Sequence, residues 1–183
     1  VANEVFTETN RSNNSGDWWD GITYSGDKSF TIDLGGNTVS QNGALNDYLI
    51  WIKNVGSKAN TITIKNGTLD AGTTVFCALC TANSHENQLT INLENVHLIN
   101  NKSDGSTVKV RAGSTLNVKA GTKITGENSY LGIENWNATV NVYEGAEIYM
   151  KIAHLPRLNT ITDEQLHLLE ERSGVKGREG YLA

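Results

Sequence analysis

Five segments of the chain repeat one four-residue pattern, in which threonine is followed by an apolar, a polar and a second apolar residue. They are Thr31–Leu34, Thr61–Ile64, Thr90–Leu93, Thr115–Val118 and Thr139–Val142. This alternation is that of a strand with one buried face. Successive segments follow one another at similar intervals along the chain, as the segment ends Leu34, Ile64, Leu93, Val118 and Val142 show. Short strands and polar turns recurring over such intervals predict a solenoid.

Each repeat holds about three short strands. A turn rich in glycine and asparagine follows each threonine segment and leads to one more inward apolar residue, namely Val39, Leu69, Leu98, Ile124 and Ile148. Another apolar strand separates successive repeats, at Leu49–Ile52, Val75–Leu79, Val108–Val110 and Leu131–Ile133. Stacking the coils about 4.8 Å apart pairs their backbones and buries these apolar columns. The sequence therefore predicts an all-β parallel β-helix of about five coils over residues 28–150.

The blocks TITIKNGTLD (61–70) and FTIDLGGNTV (30–39) resemble the pectate-lyase-like, right-handed β-helix class. Within that class, residues 28–150 are most similar to passenger domains of bacterial autotransporter adhesins. The resemblance implies a right-handed coil, a secreted or outer-surface location and recognition by self-association. Five coils are few for such a passenger and no translocator β-barrel follows, so it implies a fragment or a small free-standing relative.

Composition narrows the classes of partner. The formal net charge is −5, and the chain carries 22 Asn, 19 Thr and 18 Gly but one Pro. A helical bundle would be richer in Ala, Leu, Glu and Lys. An acidic chain has no electrostatic footprint for nucleic acid, and no apolar run is long enough for a spanning helix. We expect no nucleic-acid partner and no membrane insertion. A first residue Val1 suits a mature secreted chain or a fragment.

Two outward columns are the candidate binding surface. If the Ile and Leu residues point inward, one column holds Thr31, Thr61, Thr90, Thr115 and Thr139, and the next holds Asp33, Thr63, Asn92, Asn117 and Asn141. One interpretation is structural, because threonine suits strands and stacked asparagines bond from coil to coil. The other is a flat, nearly uncharged array that binds a second copy, a glycan or protein of a host or bacterial surface, or ordered water. Ice-binding β-helices favour Thr-x-Thr, which within these columns only Thr61 and Thr63 match.

Cys77 and Cys80 form a CxxC without a helix pattern opening at the first cysteine. We predict a tight structural disulfide, and closely spaced cysteines agree with the resemblance. Two packed thiols are an alternative. A redox site, or a metal site using His85, is another, although two cysteines cannot complete a four-ligand zinc site. A disulfide would indicate an extracellular setting.

The two ends differ from the repeats. Residues 1–27 contain the segment RSNNSGDWWDG (11–21), which is polar apart from Trp18 and Trp19. These two rings either cap the first coil or form an aromatic platform for sugar rings. In residues 151–183 the segment from Thr162 to Gln165 has the form of a helix capping box, and leucines follow it. We predict a short helix over 163–172, which either caps the last coil or is foreign to the solenoid.

Residues for covalent chemistry are sparse. A pectate-lyase-type enzyme needs clustered carboxylates for calcium and a basic group to take a proton. Arg111 is the candidate base. Glu134 occupies the equivalent position one coil later, so an ordinary stacked surface ion pair is the alternative explanation of these two residues. Lys123 and Glu147 align in the same way, with His97 one coil earlier. Outward Asp residues do not align on neighbouring coils, so we predict no catalytic residues, no metal and no cofactor.

The sequence favours an extracellular adhesin passenger fragment that mediates cell–cell or cell–host contact without enzymatic activity. The runner-up is a carbohydrate-active β-helix, a polysaccharide lyase or hydrolase. A purely structural stalk that presents another domain is a third hypothesis.

Overall fold

The structure is a computed structural model that describes residues 4–7, 9–56, 58–82, 88–126, 128–129 and 131–150. The predicted helix over 163–172 and His85 lie outside these residues. Across the described ranges, no helix has the length and apolarity needed to cross a membrane. The strands are β1 (Glu4–Phe6), β2 (Ser12–Ser15), β3 (Trp18–Asp20), β4 (Ile22–Ser25), β5 (Phe30–Asp33), β6 (Thr38–Gln41), β7 (Tyr48–Lys53), β8 (Asn60–Asp70), β9 (Cys77–Thr81), β10 (Leu89–Ile99), β11 (Ser106–Arg111), β12 (Ser114–Val118), β13 (Lys123–Gly126), β14 (Leu131–Trp136), β15 (Thr139–Val142) and β16 (Glu147–Met150).

The chain is an all-β parallel β-solenoid of about four turns, which confirms the predicted fold class. Two sheets carry the coils. A five-stranded parallel sheet has the order β14-β11-β9-β7-β4. A nine-stranded sheet bends into two arms, because β8 and β10 run continuously around its corner. Its first arm stacks β5, 60–65, 89–94, β12 and β15, and its second arm stacks β1, β6, 67–70, 96–99, β13 and β16.

The interior consists of stacked apolar columns. Ile62, Ile91 and Leu116 are paired in register on the first arm and have no exposed surface. The predicted inward column of the second arm is confirmed by its register, in which Val39, Leu69, Leu98, Ile124 and Ile148 are successive partners. Burying this apolar area, at about 25 cal/mol per Å², is the main stabilising contribution to such a fold.

The corner between the arms is built from asparagines in the left-handed region. Asn66 and Asn95 have φ of 58° and 49°, a conformation that asparagine tolerates better than most residues. Gly67 follows Asn66, and a Cβ there would lie 2.5 Å from the Leu34 Cβ. The corner therefore needs asparagine for the turn and glycine for the close approach of the preceding coil.

The register of the first coil corrects one predicted alignment. Thr31 pairs with Thr63 and Asp33 with Lys65, instead of Thr31 with Thr61 and Asp33 with Thr63. The segment 34–37 separates Asp33 from Thr38, whereas the shorter segment 66–67 separates their partners Lys65 and Thr68. Gly35 and Gly36, with φ of 59° and 82°, form the longer turn. A shift by two positions preserves the side-chain face, so Thr31 and Asp33 remain outward in different columns.

The predicted disulfide is wrong, because Cys77 and Cys80 are free, buried thiols. Ala78 and Leu79 between them both belong to the core, so the usual alternation is interrupted and both cysteines lie on the outer side of β9. A hydrogen bond to Cys80, and then burial, raises the pKa of the Cys77 thiol. The alternative of two packed thiols is the one that the structure contains.

The segment before β5 contributes strands to the solenoid. β1 pairs with β6 and β4 pairs with β7, both in parallel. Between them β2 and β3 form an antiparallel hairpin, which bonds to the coil through Asn46 and Asp47, whose backbone N–H groups both donate to the Trp19 carbonyl at 3.2 Å. Trp18 and Trp19 therefore lie beside the segment that leads into β7.

Candidate functional site

The outer surface of the first arm carries a hydroxyl column. Thr61, Thr90, Thr115 and Thr139 are successive partners in the parallel register. Ser29 extends the column by one coil, because its Oγ accepts a 2.9 Å hydrogen bond from the Thr61 backbone N–H. Within the described part of the chain, the hydroxyl groups of these four threonines make no hydrogen bond. They are free to bond to water or to a ligand.

The second column is an amide ladder. Thr31, Thr63, Asn92, Asn117 and Asn141 occupy successive coils. Asn141 Nδ2 donates to Asn117 Oδ1 at 2.9 Å, Asn117 Nδ2 donates to Asn92 Oδ1 at 2.8 Å, and Asn92 Nδ2 donates to Thr63 Oγ1 at 3.4 Å. These bonds support the structural interpretation, and they also fix the orientation of every amide. Each Nδ2 has a second N–H besides the one that it donates within the ladder.

A third column alternates in charge and could not be seen before the register was known. It contains Asp33, Lys65, Glu94 and Lys119, and neighbours form ion pairs: Lys65 Nζ lies 3.4 Å from Asp33 Oδ2 and Lys119 Nζ lies 2.6 Å from Glu94 Oε1. The Asn66 side chain donates to Asp33 Oδ1 at 3.1 Å. This bond, followed by the Gly35 N–H, lowers the pKa of Asp33. We call the three columns together the polar face. It is regular, and the charges of Asp33, Lys65, Glu94 and Lys119 sum to zero.

An open groove of about 700 Å³ follows the corner beside the polar face. Its lining includes Asn66, Asn95, His97 and Lys123. Lys123 Nζ lies 2.9 Å from Glu147 Oε2, so the predicted stacking of these residues with His97 is confirmed. His97 Nε2 lies 2.8 Å from Thr125 Oγ1. Burial and then the charge of Lys123 lower the pKa of His97, which keeps the imidazole neutral at neutral pH.

The structure places Trp18 and Trp19 on the hairpin and not on the polar face. Arg11 covers Trp19, with its guanidinium carbon 3.9 Å from the ring centroid. Trp18 is 47% exposed and packs at 5.9 Å against Phe76. Of the two predicted platform residues, Trp18 thus retains the open ring surface.

Strand β3 of the hairpin ends at Asp20, which has the most strongly shifted pKa among the carboxyls of the described chain. Asp20 has no exposed surface, and its Oδ1 accepts a 3.0 Å hydrogen bond from the Tyr48 N–H. Burial, and then the neighbouring Asp47, raises the pKa of Asp20 to about 7. Because this carboxyl is enclosed, it acts on stability and not on a ligand.

The register of β11 and β14 in the five-stranded sheet corrects a second alignment that the sequence predicted. Glu134 pairs with Lys109, and Arg111 pairs with Trp136, so Arg111 and Glu134 do not form the stacked pair that the sequence indicated. Lys109 Nζ lies 2.9 Å from Glu134 Oε1. The sequence analysis did not single out Trp136. Its position two residues after Glu134 places both side chains on the outer side of the strand, which could have identified it.

Within the described residues, no three His, Cys, Asp or Glu side chains come together as a metal-binding group. Comparison of the chain with protein-family models, curated proteins and solved structures gives no match. The polar face and the groove are therefore interpreted from their own chemistry.

Proposed function

We propose that this chain is an extracellular adhesin module, of the kind found in autotransporter passengers, whose polar face binds a second copy of itself. The observation that supports this most is the order of the columns: hydroxyl, amide and alternating charge, each continued over at least four coils. A face with unpaired hydroxyls and oriented amides offers donors and acceptors at every coil. Binding without covalent chemistry is part of the proposal.

The alternating column favours one orientation of the two copies. A two-fold axis that crosses the columns places each column against its own copy with the order of coils reversed. If this axis passes between β8 and β10, Asp33 faces Lys119 of the second copy, and Lys65 faces Glu94. Every charge then meets its opposite. With the coil axes parallel and this column in register against itself, like charges would face each other, which is unfavourable.

The same axis pairs the uncharged columns. Thr61 faces Thr90 of the second copy, and Thr63 faces Asn92, so a hydroxyl or amide meets a hydroxyl at each coil. Four coils about 4.8 Å apart and three columns about 7 Å apart cover roughly 400 Å² per partner. This is about half of a standard interface, so a single contact should be weak. Many copies on two surfaces would convert weak contacts into firm adhesion.

Sedimentation velocity with two charge-exchange variants tests this proposal. Asp33→Lys/Lys65→Asp and Glu94→Lys/Lys119→Glu each retain the internal ion pairs with reversed polarity. Each variant alone should be monomeric at concentrations where the parent chain associates, because like charges now face across the axis. An equimolar mixture should associate again, since all four cross-pairs become attractive.

A matched control reverses the ion pair on the second arm. Lys123→Glu/Glu147→Lys exchanges charges beside the groove but outside the polar face, and it should associate like the parent chain. Self-association of both polar-face variants at the parent level, or a monomeric mixture, contradicts the antiparallel arrangement. A strictly monomeric parent chain contradicts self-association itself.

A further inference from the structure

An aromatic and cationic cluster occupies the outer side of the five-stranded sheet, away from the polar face. We call it the Trp136 patch; it comprises Tyr48, Trp51, Lys109, Arg111, Glu134 and Trp136. Trp136 ends β14 and is 55% exposed. Its Nε1 donates a 2.6 Å hydrogen bond to Glu134 Oε1, and Lys109 Nζ lies 4.3 Å from its ring centroid. The ring is therefore held in place while more than half of it faces solvent.

Glu134 is bonded to other residues of the patch and does not pair with Arg111. It accepts hydrogen bonds from Ser106 and Trp136 and pairs with Lys109. Burial acts to raise the pKa of Glu134, but the bonds from Lys109 and Ser106 outweigh burial, so this pKa is lowered. Arg111 has no carboxylate partner within the described residues. Its Nη2 instead donates to the Tyr48 hydroxyl at 3.4 Å.

Two buried N–H donors in this patch have no hydrogen-bond partner among the described residues. They are Arg111 Nε and Trp51 Nε1, and neither atom is exposed to solvent. A buried donor without an acceptor destabilises the folded state. The Arg111 backbone N–H donates a 2.9 Å bond to Thr81 Oγ1, and its guanidinium carbon lies 5.8 Å from the Trp136 ring centroid. A carboxylate brought by a ligand would neutralise the guanidinium.

We propose that the Trp136 patch binds an acidic saccharide, with one pyranose ring stacked on Trp136 and a sugar-acid carboxylate on Arg111. The apolar C–H face of a sugar ring matches an exposed indole, and a carboxylate matches the planar fork of a guanidinium. One unpaired cation beside one exposed ring suits a ligand with a single carboxylate next to a neutral ring. A nucleic acid would need a broad basic surface, which a chain of net charge −5 does not favour.

Calorimetry with sialyllactose as the probe tests this site, and lactose, which lacks the acidic sugar, serves as the comparison ligand. The parent chain should bind sialyllactose and not lactose. Arg111→Gln should weaken binding about tenfold or more, because it removes a charge-assisted bond. Trp136→Ala should remove binding altogether, with an unchanged far-UV circular dichroism spectrum because the side chain is largely exposed.

Two control variants separate this site from other aromatic positions. Trp18→Ala removes the exposed ring of the hairpin, and Lys102→Gln removes a cation that lies 4.5 Å from the Phe76 ring. Both should bind sialyllactose like the parent chain. Lack of binding by the parent chain, equal affinity for lactose, or an unchanged affinity in Arg111→Gln would each overturn the proposal. Loss of binding in Trp18→Ala would assign the saccharide to the hairpin and also overturn it.

This inference is independent of self-association, because the patch and the polar face lie on different sheets. Arg111→Gln and Trp136→Ala should leave the sedimentation behaviour of the parent chain unchanged. The charge-exchange variants should in turn bind sialyllactose with the parent affinity. Failure of one proposal is thus distinguishable from failure of the other.

Discussion

Asn95 donates a 3.2 Å hydrogen bond from its Nδ2 to Oδ1 of Asn66, one coil away along the solenoid axis. Both residues have positive φ, and Asn66 Nδ2 continues the chain of bonds to Asp33. The corner between the two arms of the large sheet is therefore stabilised by side-chain hydrogen bonds of residues that tolerate the positive φ of this corner. This pair stabilises the corner and fixes where the polar face ends.

Replacing Asn95 should show two separate contributions. Asn95→Gly keeps a residue suited to positive φ but loses the bond to Asn66, and should lower the free energy of unfolding by about 1 kcal/mol. Asn95→Ala loses the bond and also places a Cβ in the left-handed region, which costs roughly a further 1–2 kcal/mol. Urea unfolding measures both. Equal stability of the two variants would show that φ at this corner is not under strain.

The buried Asp20 should make stability fall as the pH rises. Its pKa is raised from 3.8 to about 7, so the folded state binds its proton more tightly than the unfolded state. The resulting stabilisation is complete below about pH 4 and is lost as the pH approaches 7. Asp20→Asn should flatten this dependence and raise the free energy of unfolding at pH 8 by on the order of 2 kcal/mol.

The control for Asp20 is Asp17→Asn, which changes an exposed carboxyl in the same hairpin. It should keep the parent pH dependence of the free energy of unfolding between pH 4 and pH 8. A steep dependence that survives in Asp20→Asn would place the responsible proton on another group.

The amide ladder should tolerate lysine without unfolding while losing self-association. Asn92→Lys/Asn117→Lys/Asn141→Lys places three like charges on successive coils of the polar face. It also removes the ladder bonds, at about 1 kcal/mol each, but leaves the buried apolar columns intact. Sedimentation velocity should show a monomer, and the far-UV circular dichroism spectrum should match the parent chain. The matched control, Asn42→Lys/Thr73→Lys/Ser103→Lys, adds the same charge at exposed turn residues away from the polar face and should still associate. Unchanged association in the ladder variant would remove the polar face from the interface.

The two cysteines should be inert in the folded chain. Thiolate is the reactive form, and the Cys77 thiol is buried with a raised pKa. Titration with a thiol reagent should find no fast-reacting group under native conditions and two groups in denaturant. A reducing agent should leave the midpoint of thermal unfolding unchanged. A lower midpoint in reductant would instead indicate a disulfide.

Local pattern explains which predictions succeeded. Thr61, Thr90, Thr115 and Thr139 align as expected because each lies at the same place in an uninterrupted strand repeat. Thr31 does not align with Thr61, because the longer turn through Gly35 and Gly36 shifts its pairing with the next coil to Thr63. Aligning the four-residue repeat cannot detect a register shift of two residues between strands, since both registers keep the same side chains outward.

The strand repeat, the inward apolar columns and the all-β solenoid follow from the amino-acid sequence, because side-chain alternation and turn residues act over a few neighbouring positions. Which residues of neighbouring coils meet depends on the tertiary structure. It placed Asp33 in a charge column with Lys65 and Glu94, brought Cys77 and Cys80 to one side of β9, and set Trp136 beside Lys109 and Arg111. These relations depend on turn lengths and on interrupted alternation, which fix the register between successive coils that are distant along the chain.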